Sequence, residues 1–62
     1  MSMAECLKLI ESVCKARHEN SSISVNEAIT RSGEHYYAIY IDQRPYTSKK
    51  SWQECIDKWL SK

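Results

Sequence analysis

A chain of 62 residues, 42% of them hydrophobic, has room for one hydrophobic core and no more. A domain this small buries only roughly 60% of its unfolded surface, so a second subunit, a metal or disulfides are the supplements to look for. The net charge of +1 gives no global attraction to nucleic acid, but residues 44–62 carry five basic and two acidic side chains, net +3, against four and six, net −2, in residues 1–43.

No apolar run reaches the roughly 18 residues of a membrane span. Glu5 stands where a signal peptide needs a basic stretch leading into an apolar one. The expectation is a soluble, non-exported, cytoplasmic protein with no membrane partner. With one Gly, one Pro and no low-complexity tract, the chain reads as a single domain spanning residues 1–62.

Ser2 followed by Glu5 makes a capping box, in which each side chain satisfies the other residue's backbone donor, and predicts the start of a helix. Met3, Cys6, Leu7, Ile10, Val13 and Cys14 recur at helical spacing, with Leu9 and Ala16 widening the apolar face, while Glu5, Lys8, Glu11, Ser12 and Lys15 cover the other side. His18, Glu19, Asn20, Ser21 and Ser22 then end the pattern.

Cys6 and Cys14 lie about 12 Å apart along such a helix, beyond the roughly 7 Å that a disulfide spans. With Cys55 they make an odd number at no framework spacing, which suits reduced, buried thiols.

Residues 23–31 carry two signals. Ile23, Val25 and Ile29 alternate as in a strand, and Ser32-Gly33 can turn the chain into the next strand. Ser24 with Glu27 is also a further capping box, with Gly33 as a helix terminator. Propensity favours the strand.

His35 to Ile41 is a run of aromatic and β-branched residues with high strand propensity. Asp42-Gln43 connects it to residues 44–48 and predicts a hairpin, with Pro45 confining the second arm to a sheet edge. Ser51 and Glu54 form another capping box, followed by Trp52, Cys55, Ile56, Trp59 and Leu60 along one helical face; Gln53, Asp57, Lys58 and Ser61 face water. The predicted fold is a small α+β domain, α-β-β-β-α, with N- and C-terminal helices covering one face of an antiparallel sheet. The competing order is α-α-β-β-α.

In the three-strand order, alternation places Tyr37, Ile39 and Ile41 on one face of the central strand and Tyr36, Ala38 and Tyr40 on the other. Two helices cover only one face. Tyr36 and Tyr40, with Tyr46 beside them if the register agrees, are therefore candidate protein-binding residues on the bare face. An edge strand near Tyr46 can also pair with its symmetry mate to form a homodimer.

Arg44, Lys49 and Lys50 are candidate nucleic-acid contacts, since two lysines preceding a capped helix can join its backbone amides around a phosphate. Ser48-Lys49-Lys50 at the entrance to the last helix resembles the phosphate-binding Ser-Lys-Lys signature of the double-stranded-RNA-binding domain, whose α-β-β-β-α order the whole chain shares. That resemblance implies RNA binding through these residues. The final helix departs from the family in carrying Trp52, Cys55 and Ile56 in place of small alanines, and the Gly-Pro-x-His loop is absent.

Gly33-Glu34-His35 is similar to the Gly-Ser-His start of HicA-type messenger-RNA interferase toxins, with Glu34 replacing the serine. It implies His35-dependent RNA cleavage. General acid or base catalysis needs a positioned partner, and none is evident along the chain.

Cys14 and His18 stand at i, i+4, and Cys55 can join them, but no fourth ligand completes a zinc site and no third group orients a nucleophile pair. No metal, cofactor or catalytic residue is expected. The leading expectation is a non-enzymatic regulatory or adaptor module that binds another macromolecule, more readily a protein.

Overall fold

In the computed structural model, which describes residues 1–61, the chain forms α1 (Met3–Ala16), β1 (Ile23–Ile29), β2 (His35–Ile41), β3 (Arg44–Ser48) and α2 (Trp52–Leu60). The strands make one antiparallel sheet in the order β1-β2-β3. The α-β-β-β-α order is thus the one the chain adopts, and residues 23–29 are a strand.

Both helix starts are fixed by serine caps. At α1 the box is complete: the Glu5 amide donates to Ser2 Oγ at 3.2 Å and the Ser2 amide to Glu5 Oε1 at 3.3 Å. At α2 the Glu54 amide donates to Ser51 Oγ at 3.2 Å, but the reciprocal bond is not made, because the Glu54 carboxylate accepts from Ser48 Oγ at 3.0 Å instead. α1 ends in a Schellman motif, in which the Glu19 amide reaches the Cys14 carbonyl and the His18 amide the Lys15 carbonyl, with His18 in the left-handed region at φ 57°.

Each hairpin turn has a local cause. Between β1 and β2 the Gly33 amide donates to the Thr30 carbonyl at 2.9 Å, and Gly33 takes φ 85°, closing a turn on Arg31, Ser32 and Gly33. Between β2 and β3, Asp42 and Gln43 both lie at positive φ, 52° and 69°, which is the mirror-image turn that matches strand twist. That tight turn sets Ile41 opposite Arg44 and every pairing after it.

α1 packs on β1, α2 on β3 and β2, and the helices touch each other. Between them lies a core of Cys6, Ile10, Cys14, Ile39, Ile41, Trp52, Cys55, Ile56 and Trp59, with Val13, Ile23, Val25, Tyr37 and Tyr46 around its edge. Both tryptophans are buried, as the spacing of the last helix predicts. Each buried aliphatic side chain in such a core contributes about 1.5–3 kcal/mol. The apolar faces are narrower than the sequence suggests: Met3, Leu9 and Leu60 are 46%, 38% and 41% exposed. Ile29 is 66% exposed, because β1 and β2 run past the reach of the helices at that end.

Candidate functional site

Opposed residues of antiparallel strands point to the same side of a sheet. The register therefore assembles the bare face from Ser24, Asn26 and Ala28 of β1, Tyr36, Ala38 and Tyr40 of β2, and Pro45 and Thr47 of β3. No member of this face carries a charge. Tyr36 and Tyr40 are half-buried and stand on either side of Ala38 along the strand. Ala38 is 1% exposed although no helix covers it; the side chains placed to screen it are Tyr36 and Tyr40 along β2 and Asn26 and Thr47 across the sheet. Among the described residues no pocket opens.

Tyr46 is not part of this face. It pairs with Ile39 and packs against the core on the helix side. The tight turn at Asp42-Gln43 places even positions of β3 opposite odd positions of β2, which reverses the side expected for Tyr46. The two strand registers also bring Ser24, Asn26 and Thr47 onto the bare face, where no binding motif marks them.

The candidate phosphate contacts are spread apart. Arg44 opens β3 and Lys49 and Lys50 follow its end, so about 16 Å of extended chain separates the first from the pair. Lys49 Nζ lies 4.0 Å from Glu34 Oε2, a surface pair, and Lys50 is exposed. Ser48 is 4% exposed, and its hydroxyl is fully used within the fold: it accepts from the amides of Lys50 at 2.9 Å and Ser51 at 3.3 Å and donates to Glu54. The serine of the Ser-Lys-Lys tripeptide is thus a hinge pin for the strand-to-helix turn.

His35 lies on the helix-side face at the exposed end of the first hairpin, stacked on Tyr37 with ring centroids 6.0 Å apart. Its Nδ1 is 4.0 Å from Glu27 Oε2, beyond hydrogen-bond length. Glu27 is the neighbouring group that the sequence alone does not show, because only the β1-β2 register brings it there.

Cys6, Cys14 and Cys55 are all free and buried. Burial pushes the Cys6 thiol up to about 11, with the nearby Cys55 adding to the effect. Burial raises Cys14 and Cys55 as well, with Glu19 and Asp42 pushing Cys14 the same way. Buried and held neutral in this way, the three thiols pack as small apolar groups. No group of three or more potential metal ligands converges among the described residues, and no helix there is long and apolar enough to cross a membrane. No protein-family model, curated protein or solved structure matches this chain.

Proposed function

We propose that the chain is a small non-enzymatic adaptor module that binds another protein through the bare face of its sheet, with Tyr36 and Tyr40 as anchors. The observation that carries this reading is the charge-free composition of that face around two half-buried tyrosines. Protein interfaces are enriched in tyrosine and depleted of charge at their centre, whereas a phosphate-binding surface needs the reverse. A face without a pocket among the described residues suits a macromolecular partner better than a small substrate, which needs an enclosing cleft. Three reduced, buried thiols suit a cytoplasmic setting.

The test is binding by the doubly substituted Tyr36→Ser, Tyr40→Ser chain against the wild type. The open-face rings lie outside the core, so the variant should fold, and removing an anchoring pair should weaken partner capture by roughly 2 kcal/mol or more. A charge-reversed Lys49→Glu, Lys50→Glu chain should bind normally, and the complex should change little with salt. Undiminished binding by the tyrosine variant would remove this face from the mechanism.

A second reading, double-stranded RNA binding, draws on Lys49 and Lys50 standing exposed immediately before the N-terminus of α2. It predicts a duplex-RNA mobility shift that weakens steeply with salt and disappears in the Lys49→Glu, Lys50→Glu chain. Ribonuclease activity of the HicA kind would rest on His35 beside Glu27, and it predicts RNA cleavage that His35→Ala abolishes.

A further inference from the structure

The two edges of the sheet differ, and the difference is set by which backbone groups point outward. Hydrogen bonds between Ser22 and Asp42 at one end of β1, and between Thr30 and Glu34 at the other, show which residues exchange bonds with β2. Alternation then assigns Ser24, Asn26 and Ala28 to the β2 ladder and turns the N–H and C=O groups of Ile23, Val25, Glu27 and Ile29 away from the sheet. Among the described residues no hydrogen bond reaches these outward groups.

On β3 the outward positions are Pro45 and Thr47. Pro45 has no N–H to offer, and the Thr47 carbonyl accepts from Lys58 Nζ at 2.6 Å. β3 is a blunted edge, so pairing beside Tyr46 is disfavoured there. β1 keeps its full row of donors and acceptors over seven residues.

From this, together with the pattern of β1 itself, we infer that β1 pairs antiparallel with β1 of a second copy about a two-fold axis at Asn26, joining the two sheets into one of six strands. This goes beyond the binding reading above and rests on the strand edge, not on the bare face.

The occupant is a second copy because Ile-Ser-Val-Asn-Glu-Ala-Ile is complementary to itself in that register. Ile23 meets Ile29 of the other copy, Ser24 meets Ala28, Val25 meets Glu27, and Asn26 meets Asn26. Glu27, the one charged residue of the strand, never faces its counterpart. Moving the axis to Glu27 opposes the two carboxylates, and moving it to Val25 leaves Ile29 without an opposing strand residue. Ile29 is the most exposed large apolar side chain, at 66%, and lies on the helix-side face beyond helical cover. The Asn26 register sets it beside Ile23 of the other copy, a residue that packs against that copy's core under its helices. The pairing therefore covers the apolar side chain that the single chain leaves open.

Light scattering from micromolar to millimolar concentration should show a mass rising from 7.3 kDa toward twice that value. Glu27→Pro removes an outward N–H and leaves the β2 ladder intact, so this chain should keep a wild-type circular dichroism spectrum and stay at the monomer mass. Asn26→Cys should form a covalent dimer on mild oxidation, because a non-hydrogen-bonded pair at the axis brings the two Cβ atoms close, whereas Ser24→Cys should not. The native thiols are buried and do not compete. Should Glu27→Pro fail to fold, the cysteine pair decides alone. A wild-type chain that stays at 7.3 kDa at millimolar concentration, a folded Glu27→Pro chain that still dimerises, or an Asn26→Cys chain that crosslinks no faster than Ser24→Cys would each overturn the inference.

Discussion

Ser22 and Asp42 are joined twice: the Ser22 amide donates to Asp42 Oδ1 at 3.0 Å, and the Asp42 amide donates to the Ser22 carbonyl at 2.8 Å. One residue thus performs two tasks, holding the left-handed turn between β2 and β3 and clamping the entrance to β1. Asn tolerates the left-handed region and keeps an acceptor at this position, while Ala loses the acceptor and strains the turn. Asp42→Asn should change stability little, and Asp42→Ala should lower it by about 1–2 kcal/mol, read from urea unfolding midpoints.

His18 and Gln43 are larger side chains at positions where glycine is the relaxed choice. His18→Gly and Gln43→Gly should each raise stability by up to about 1 kcal/mol, the relief of left-handed strain being partly offset by the more flexible unfolded chain. The sites belong to separate turns, so the double variant should show additive shifts in melting temperature.

Ser48→Ala would strip the Lys50 and Ser51 amides and the Glu54 carboxylate of a shared partner. A loss of about 1–3 kcal/mol is expected. Lys49→Ala and Lys50→Ala, at exposed positions, should stay within about 0.5 kcal/mol of the wild type. Equal losses at all three would contradict a structural role confined to the serine. The readout is the urea midpoint at neutral pH.

Trp59 is 3% exposed, and the Arg17 guanidinium stands 5.9 Å from its ring centroid. Trp59→Ala should cost about 3–5 kcal/mol, a large part of the about 5–15 kcal/mol total of a typical domain. Loss of the near-ultraviolet circular dichroism of the remaining tryptophan would report it.

Alkaline pH should unfold the domain through its thiols. Below pH 9.0, the ordinary value for Cys6, the thiol is neutral in both states and contributes no pH dependence. Above it, the unfolded chain gives up the proton while the buried group keeps it until about 11. The native state then holds more protons, so stability falls as pH rises across that window, by at most about 1.4 kcal/mol per unit. Cys6→Ala should flatten the slope of unfolding free energy between those pH values.

Much of the fold was legible in local chemistry. Serine caps and apolar periodicity located both helices, and the Asp42-Gln43 connection located the second hairpin. Residues 23–31 were harder, because Ser24 and Glu27 satisfy a helical rule that three-stranded pairing overrides: the even-numbered residues of β1 each gain ladder bonds to β2. The side taken by Tyr46 followed from the turn length, since a tight turn inverts the parity between strands. The exposure of Ile29 and Leu60 depends on where the helices stop relative to the sheet, which apolar spacing does not encode. Glu27 beside His35 is likewise a product of register alone.

The Lys58 bond to the Thr47 carbonyl has a bearing on solubility at high concentration. A sheet open at both margins polymerises, because each added strand exposes another like it. Here Pro45 and Lys58 blunt one margin, so pairing through β1 would use up the open edge among the described residues. If β1 pairs as inferred above, assembly by strand addition would end at a closed pair bounded on both sides by β3, and among the described residues no second open strand edge would be left from which a fibre extends.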